Sequence, residues 1–360
     1  MPGQEHTPIR DIANILSQDL KPSHRKLRYY LRERSSLSMH VQDIFKRQRT
    51  TFSFELFPPK TAAEDDQVLG AVAELESLCP SFISVTYGAG GSTRQRTQDL
   101  VLRIKSETTC DPVPHLTCVM HNSGELQSIL ETYADNGISN INALAGDVPR
   151  SAAGYDRSRD EFRYAADLVA FIKKFNDSGR HPDPRGFGIG VAGYPEGHHL
   201  TPNRLTEMDY LKAKVDAGAD VIVTQLFFDN RDFYDFRERC SLAGIHVPIV
   251  AGIMPITSLK GLERMAGLAL GTRFPARLLK AVDRAQGDPE GVRRVGVHWA
   301  TEQCLDLLDM GVDGLHFYTL NRSTATREVY ASLGVKDSRD LFPRSAQAVE
   351  TAASGRMPSA

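Results

Sequence analysis

Cysteine is scarce in this chain. Its 360 residues hold five, Cys79, Cys110, Cys118, Cys240 and Cys304, scattered and without a CxxC pair. That argues against a disulfide framework or a zinc knuckle, and for reduced thiols in a cytoplasm. Long hydrophobic runs are missing too. No apolar stretch reaches the length of a membrane span, and the opening MPGQEHTPIRDIAN has no apolar core of a signal peptide. The expectation is a cytoplasmic protein with no membrane partner. Charge of one sign is equally lacking: a net charge of −2 gives no general case for nucleic acid or an anionic surface. Neither a Walker loop nor HExxH occurs. The one GxGxxG match, Gly188-Ile-Gly190-Val-Ala-Gly193, runs into Tyr-Pro-Glu instead of a helix start, so phosphate-binding geometry is missing. His115, His198, His199 and His316 lack metal-ligand spacing, and no metal is expected.

What is present is an alternation. Apolar content of 41% and charged content of 24% suit a folded globular chain. After residue 50, eight apolar strand candidates recur: Phe52–Phe57, Phe82–Tyr87, His115–Val119, Asn140–Leu144, Gly188–Tyr194, Val221–Phe227, Pro248–Ile253 and Gly314–Leu320. Several are nearly continuous apolar runs, as expected of parallel strands buried on both faces. Amphipathic stretches lie between them, among them Asp66–Leu78, Arg96–Ser106, Gly124–Asn136, Glu207–Ala217 and Val292–Met310. Eight β-then-α repeats predict an α/β fold, a (β/α)8 TIM barrel, with an open doubly wound sheet as the alternative. Residues 258–291 hold helix-like pieces and no strand, and read as an enlarged seventh crossover. The expected division is an N-terminal helical extension over 1–50, a barrel over 51–342 and a disordered tail over 343–360. The extension has helical spacing over Ile9–Leu20 and Leu37–Arg49. Its basic run, Arg25, Lys26, Arg28, Arg32 and Arg34, reads as a solvated helix face.

The stretch TFSFELFPPK (51–60) organises the rest. Phe52, Phe54 and Leu56 alternate with Ser53 and Glu55, and Pro58-Pro59 end the strand. A carboxylate near the end of an apolar strand is either neutralised by a nearby Lys or Arg, or kept for chemistry. Barrel enzymes place their chemistry at the C-terminal strand ends, and polar residues gather there in this chain. Thr86-Tyr87 end strand two, and His115 and Thr117 lie on strand three. Gly146-Asp147 follow strand four. Tyr194 ends strand five, with Glu196 and His198 just beyond, and Thr224-Gln225 lie on strand six. His316 and Tyr318 lie on strand eight, with Asn321 and Arg322 beyond. Each has a bland reading. Asp147 could cap a helix, and His316 suits a core histidine.

These residues sit in segments that resemble the methylenetetrahydrofolate reductase family, in its bacterial-type catalytic domain: SFELFPPKT (53–61), ISVTYGAGGSTRQRT (83–97), PHLTCV (114–119), NGISNINALAGD (136–147), YAADLV (164–169), VAGYPEGH (191–198), LKAKVDAGAD (211–220), TQLFFD (224–229), GIMPI (252–256) and HFYTLNR (316–322). The likeness spans roughly residues 50–335. It implies a barrel that binds FAD, a flavin reduced by NADH or NADPH, and reduction of 5,10-methylenetetrahydrofolate to 5-methyltetrahydrofolate. No ribose-reading motif separates the two nucleotides. Glu55 matches the family's general acid, which protonates N10 as the folate ring opens to an iminium. That role needs a carboxyl still carrying its proton, and an apolar strand end favours the neutral acid. Asp147 matches the carboxylate near flavin and pterin, whose charge stabilises that cation. Gln225, Leu259 and Arg322 match substrate-binding positions. Thr86, His115, Leu144, Ala145, Gly146, Asp147, Tyr164, Ala165, Ala192, Tyr194, His198, Glu207 and Lys214 match flavin-contact positions.

The chain departs from the family in places. Leu144-Ala145-Gly146-Asp147 stands where the family has LRGD, so Ala145 cannot pair with the flavin's phosphates as an Arg would. Arg94, Arg96, Arg163 or an N-terminal arginine could compensate. His199-Leu200-Thr201-Pro202 replaces Pro-Glu-Ala after His198, Tyr210 falls where some members have Asn, and Leu259 stands where some have a stacking Phe. Alternatives are therefore the same reduction by direct hydride transfer without tightly bound flavin, a non-redox pterin-binding module and a metal-dependent barrel enzyme. Homo-oligomerisation is left open.

Overall fold

The computed structural model describes residues 38–341 except 60, 89–92, 150, 151 and 153. The basic N-terminal run and the expected tail over 343–360 lie outside the described residues. Eight parallel strands close into a barrel in chain order, β1 (Thr51–Leu56), β2 (Phe82–Val85), β3 (Pro112–Thr117), β4 (Asn140–Leu144), β5 (Gly188–Gly193), β6 (Val221–Leu226), β7 (Ile249–Ile253) and β8 (Gly314–Tyr318), with β8 pairing back to β1. This is the (β/α)8 barrel, not the open sheet. Helices α1 (Val41–Arg47), α2 (Ala62–Glu76), α3 (Arg94–Glu107), α4 (Ser123–Asp135), α5 (Ala165–Asp177), α6 (Arg204–Asp216), α7 (Asn230–Leu242), α8 (Leu259–Leu268), α9 (Ala276–Ala285), α10 (Pro289–Asp309) and α11 (Thr324–Ser332) complete the described elements apart from short 3-10 turns. The long seventh crossover holds α8 and α9 ahead of α10.

The period-two pattern of β1 does what it predicts. Phe52 and Phe54 pack outward with Phe317 of β8 and Tyr330 of α11, ring centroids 5.4 to 6.5 Å apart. Ser53 and Glu55, on the other face, turn into the barrel. Burial of each such aromatic stabilises by roughly 1.5–3 kcal/mol. The strand ends because Asn321 takes over its ladder: the Asn321 side chain accepts from Phe57 N (2.8 Å) and donates to Phe57 O (2.9 Å).

Strand β3 begins three residues before its expected start at His115. Pro112 and Pro114 lie within it. They are tolerated because β3 pairs with β4 only from His115 onward, so neither lacks a ladder donor there. The floor of the barrel is closed by α1, whose Val41 packs on Val221, Val223 and Val250 and whose Ile44 packs on Phe82 and Val113. Val41 N donates to Asn140 Oδ1 (2.7 Å), and Asn140 Nδ2 to Met39 O (2.9 Å). A seven-residue helix is marginal alone; this one is held by that tertiary packing.

Candidate active site

A cavity of about 920 Å³ opens at the C-terminal ends of the strands. Fifteen of the seventeen site residues expected from sequence line it: Glu55, Thr86, His115, Leu144, Ala145, Gly146, Asp147, Tyr164, Ala165, Ala192, Tyr194, His198, Glu207, Lys214 and Gln225. Leu259 and Arg322 do not. Leu259 starts α8 and is 38% exposed. The α8 residues that reach the lining are Arg264 and Met265. Met265 is buried and packs in the cluster of Leu226, Phe228 and Met254. The signal for it was present in the sequence. Leu262, Met265 and Ala269 share one helical face, and Leu259 begins the turn before it.

Glu55 is 7% exposed. Among the described residues no Lys or Arg lies within ion-pair distance of it; its neighbours are His115 Nε2 at 3.4 Å and His316 Nε2 at 3.7 Å, both from Oε2. The bland reading, a Glu neutralised by a nearby Lys or Arg, is therefore not what the barrel builds. Burial lowers the His115 pKa from its usual range, with Glu55 pulling the other way and His316 adding to the depression. Burial thus favours the neutral form of the His115 imidazole beside the carboxyl. Tyr318 closes the other side of Glu55 in register on β8. Its hydroxyl donates to Thr224 O (2.7 Å), and burial pushes the phenol well above its usual range. The close approach depends on Gly252, where a Cβ would stand 2.3 Å from Thr224 O and 2.7 Å from the Tyr318 ring.

Asp147 follows a turn that only glycine fits. Gly146 has φ +80°, and a Cβ there would meet Thr117 Cβ at 2.6 Å. Among the described residues Asp147 caps no helix: the next described element is a 3-10 turn at Arg157–Arg159, capped by Asp156. Arg157, a residue with no periodic signal around it, holds this turn. It donates to Gly146 O (2.9 Å), Ala145 O (3.1 Å) and Arg163 O (3.1 Å). Of Arg94, Arg96 and Arg163, only Arg163 lines the cavity.

Gln225 is aimed by a register shift between Val223 and Leu226, where β6 bulges against β7. Lys214 reaches from α6 to donate to Ala192 O (2.5 Å), and burial lowers its pKa to about 8 against the opposing pull of Glu207. Burial, with Asp147 and Glu207 nearby, pushes Tyr194 up to about 12. Its ring meets His198 edge-on at 4.6 Å. Tyr164 and Tyr210 stack at 5.3 Å on the rim. Thr117 Oγ1 and Glu207 Oε2, both of cavity-lining residues, are buried without a hydrogen-bond partner. Buried polar groups are normally satisfied, so these two point to a polar ligand. Among the described residues no three His, Cys, Asp or Glu side chains converge as a metal site, and no helix is long and apolar enough to cross a membrane.

Comparison with known proteins places this arrangement. The family model described as Methylenetetrahydrofolate reductase matches residues 40–334. The chain is 39% identical over 311 residues to "Methylenetetrahydrofolate reductase (NADH) 1" of Arabidopsis thaliana, covering 84% of this chain and 51% of the plant protein. It is 35% identical over 308 residues to "5,10-methylenetetrahydrofolate reductase" of Pectobacterium carotovorum subsp. carotovorum, covering 86% of this chain and 97% of that one. The chain thus spans about half the length of the plant relatives it matches and nearly all of the bacterial one. Among solved structures, an uncharacterized protein from Clostridium thermocellum that binds two copies of 5-methyl-5,6,7,8-tetrahydrofolic acid shares the fold, with TM-score 0.57, 13% identity, and coverage of 81% of this chain and 97% of that one.

Proposed function

This chain belongs to the methylenetetrahydrofolate reductase family, and from that premise we propose that it reduces 5,10-methylenetetrahydrofolate to 5-methyltetrahydrofolate, with NADH or NADPH as the hydride source. The observation that carries the reading is Glu55: a buried carboxyl lining the cavity, flanked by two imidazoles and by no Lys or Arg among the described residues. Such a group can hold a proton and release it at a stated atom. In the proposed reaction the Glu55 O–H bond breaks and an N10–H bond forms. The carbon–N10 bond opens with its electron pair going to N10. The carbon left as an N5 iminium accepts hydride. Asp147, presented by the Gly146 turn, faces that cation and the pterin. Gln225, aimed by the β6 bulge, hydrogen-bonds the substrate, and Met265 supplies the apolar surface on α8.

The lining also suits FAD. Thr86, His115, Tyr194, His198 and Lys214 offer hydrogen-bonding groups along one cavity, with Thr117 and Glu207 holding unpartnered polar atoms. When bound, FAD supplies a two-electron carrier between nicotinamide and folate. A second reading, direct hydride transfer without tightly held flavin, is favoured by one observation. Ala145 offers no charge to a diphosphate, and the nearby Arg157 is occupied by three backbone carbonyls.

The test is oxidation of NADH or NADPH by the purified protein with methylenetetrahydrofolate, with and without added FAD. Folate-dependent oxidation that added FAD accelerates supports the first reading. Folate-dependent oxidation by flavin-free protein, indifferent to FAD, supports the second. No folate-dependent oxidation under either condition sinks both.

A further inference from the structure

The interior of a (β/α)8 barrel is normally filled by branched apolar side chains. On the β1, β2 and β8 side beneath this cavity it is not. Ser53 on β1, Ser84 on β2 and His316 on β8 lie at or below the level of Glu55 and are wholly buried, while His115 on β3 lines the cavity. Burying polar groups is costly unless they are hydrogen-bonded. Here they are bonded to one another. His316 Nδ1 lies 2.7 Å from Ser53 Oγ, and its Nε2 lies 3.3 Å from Ser84 Oγ. Its ring is fixed by stacking on Phe82 at 6.0 Å and by the edge contact with Tyr318 at 5.3 Å. The same Nε2 lies 3.7 Å from Glu55 Oε2, the oxygen that His115 Nε2 approaches to 3.4 Å.

We propose that Ser53 and His316 are positioning residues for the Glu55 proton, acting with His115. The proposal rests on the reading of Glu55 as proton donor. Ser53 has two acceptors in reach, His316 Nδ1 at 2.7 Å and Leu315 O at 3.5 Å, and the shorter contact takes its proton. Nδ1 is then the acceptor, and the ring proton sits on Nε2, toward Ser84 and Glu55. His316 Nε2 and His115 Nε2 both face Oε2, at 3.7 and 3.4 Å. In this proposal the acid proton is left to Oε1, and the carboxylate formed on proton transfer to N10 has the His316 N–H already turned toward it. No reorganisation of the strands is needed at that moment. Water entering the cavity returns the proton after product leaves. Among the described residues, the other titratable side chain facing Glu55 is Tyr318, from β8. Its proton is given to Thr224 O and its phenol stays neutral, so it neither supplies nor competes for the Glu55 proton.

The test uses two variants and one background. Ser53→Ala removes one hydroxyl and keeps the strand. His316→Asn keeps a hydrogen-bonding side chain but withdraws the imidazole. Each should lower kcat for methylenetetrahydrofolate reduction by about 10–100-fold, a part of the 10²–10⁴ that general-acid catalysis supplies. KM should change little. Without the His316 N–H turned toward its carboxylate the acid is weaker, so the alkaline limb of the kcat profile should move to higher pH. In a Glu55→Gln background, Ser53→Ala should slow the reaction no further, because it acts through Glu55. Equal slowing by Ser53→Ala in both backgrounds, or an unmoved alkaline limb, overturns the proposal and leaves a structural role. A wild-type protein with no folate-dependent oxidation sinks the reaction itself, and this proposal with it. Should His316→Asn fail to fold, Ser53→Ala decides alone.

Discussion

Replacing Glu55 by Gln separates a proton donor from an ion-pair partner, because the two roles differ in both stability and rate. Glu55 is 7% exposed, and the only Lys, Arg or His side chains within 4 Å of its carboxyl among the described residues are His115 and His316. Were Glu55 an anion paired with a cationic imidazole, withdrawing its charge would break a buried pair at a cost of about 3–5 kcal/mol. Burial instead holds His115 toward its neutral form. If Glu55 is the proton donor proposed above, its carboxyl is replaced by an amide of the same shape, and the loss should not exceed about 1 kcal/mol, the net worth of one hydrogen bond. The rate should respond far more. A missing general acid costs about 10²–10⁴, equivalent to roughly 2.7–5.4 kcal/mol in the barrel's transition-state stabilisation at about 1.36 kcal/mol per decade. Hydride leaving the nicotinamide needs no proton at N10, and opening the folate ring does. Stopped-flow absorbance on FAD-loaded protein should therefore find reduction by NADH nearly intact and oxidation by methylenetetrahydrofolate slowed by that factor. Urea unfolding measures the stability half. A stability loss of 3–5 kcal/mol together with equal slowing of both half-reactions would refute the reasoning and return Glu55 to a structural ion pair.

Other outcomes follow from the same geometry. Gly146→Ala puts a Cβ 2.6 Å from Thr117 Cβ at a φ of +80°; it should cost about 1–3 kcal/mol in denaturant unfolding and weaken folate binding through Asp147, and unchanged values for both would show that the turn relaxes freely. Ala145→Arg should raise the FAD retained through extensive dialysis; native protein that already keeps stoichiometric FAD, with no gain from the substitution, would show that position 145 is not a phosphate site. Lys214 titrates near 8 because it is buried, so it is charged below that pH and neutral above. Affinity for a diphosphate ligand such as NADH should fall as pH rises through about 8, up to tenfold per pH unit in the limit of full coupling. The fall should be absent in Lys214→Met when binding is followed by fluorescence titration, and a fall that persists in the variant assigns it to another group.

The sequence determined the repeat and its faces. Period-two alternation in β1 and near-continuous apolar runs in the later strands are local patterns, readable within six or seven residues, and they put Ser53 and Glu55 on the inner face. The family segments also named most of the cavity lining. Tertiary structure decided which side chains meet. His316 stands 263 positions from Ser53 and hydrogen-bonds it because β8 closes on β1, an event that no window of sequence contains. Closure and strand register turned an isolated apolar-strand histidine into the neighbour of Glu55. Arg157 was illegible because it acts on backbone carbonyls, which every residue carries, from a segment without periodicity. Met265 and Leu259 are both apolar residues of one helix. Only the docking of α8 on the barrel mouth decided that Met265 enters the cavity and Leu259 stays outside, since helix propensity sets that the helix forms but packing sets which face is buried.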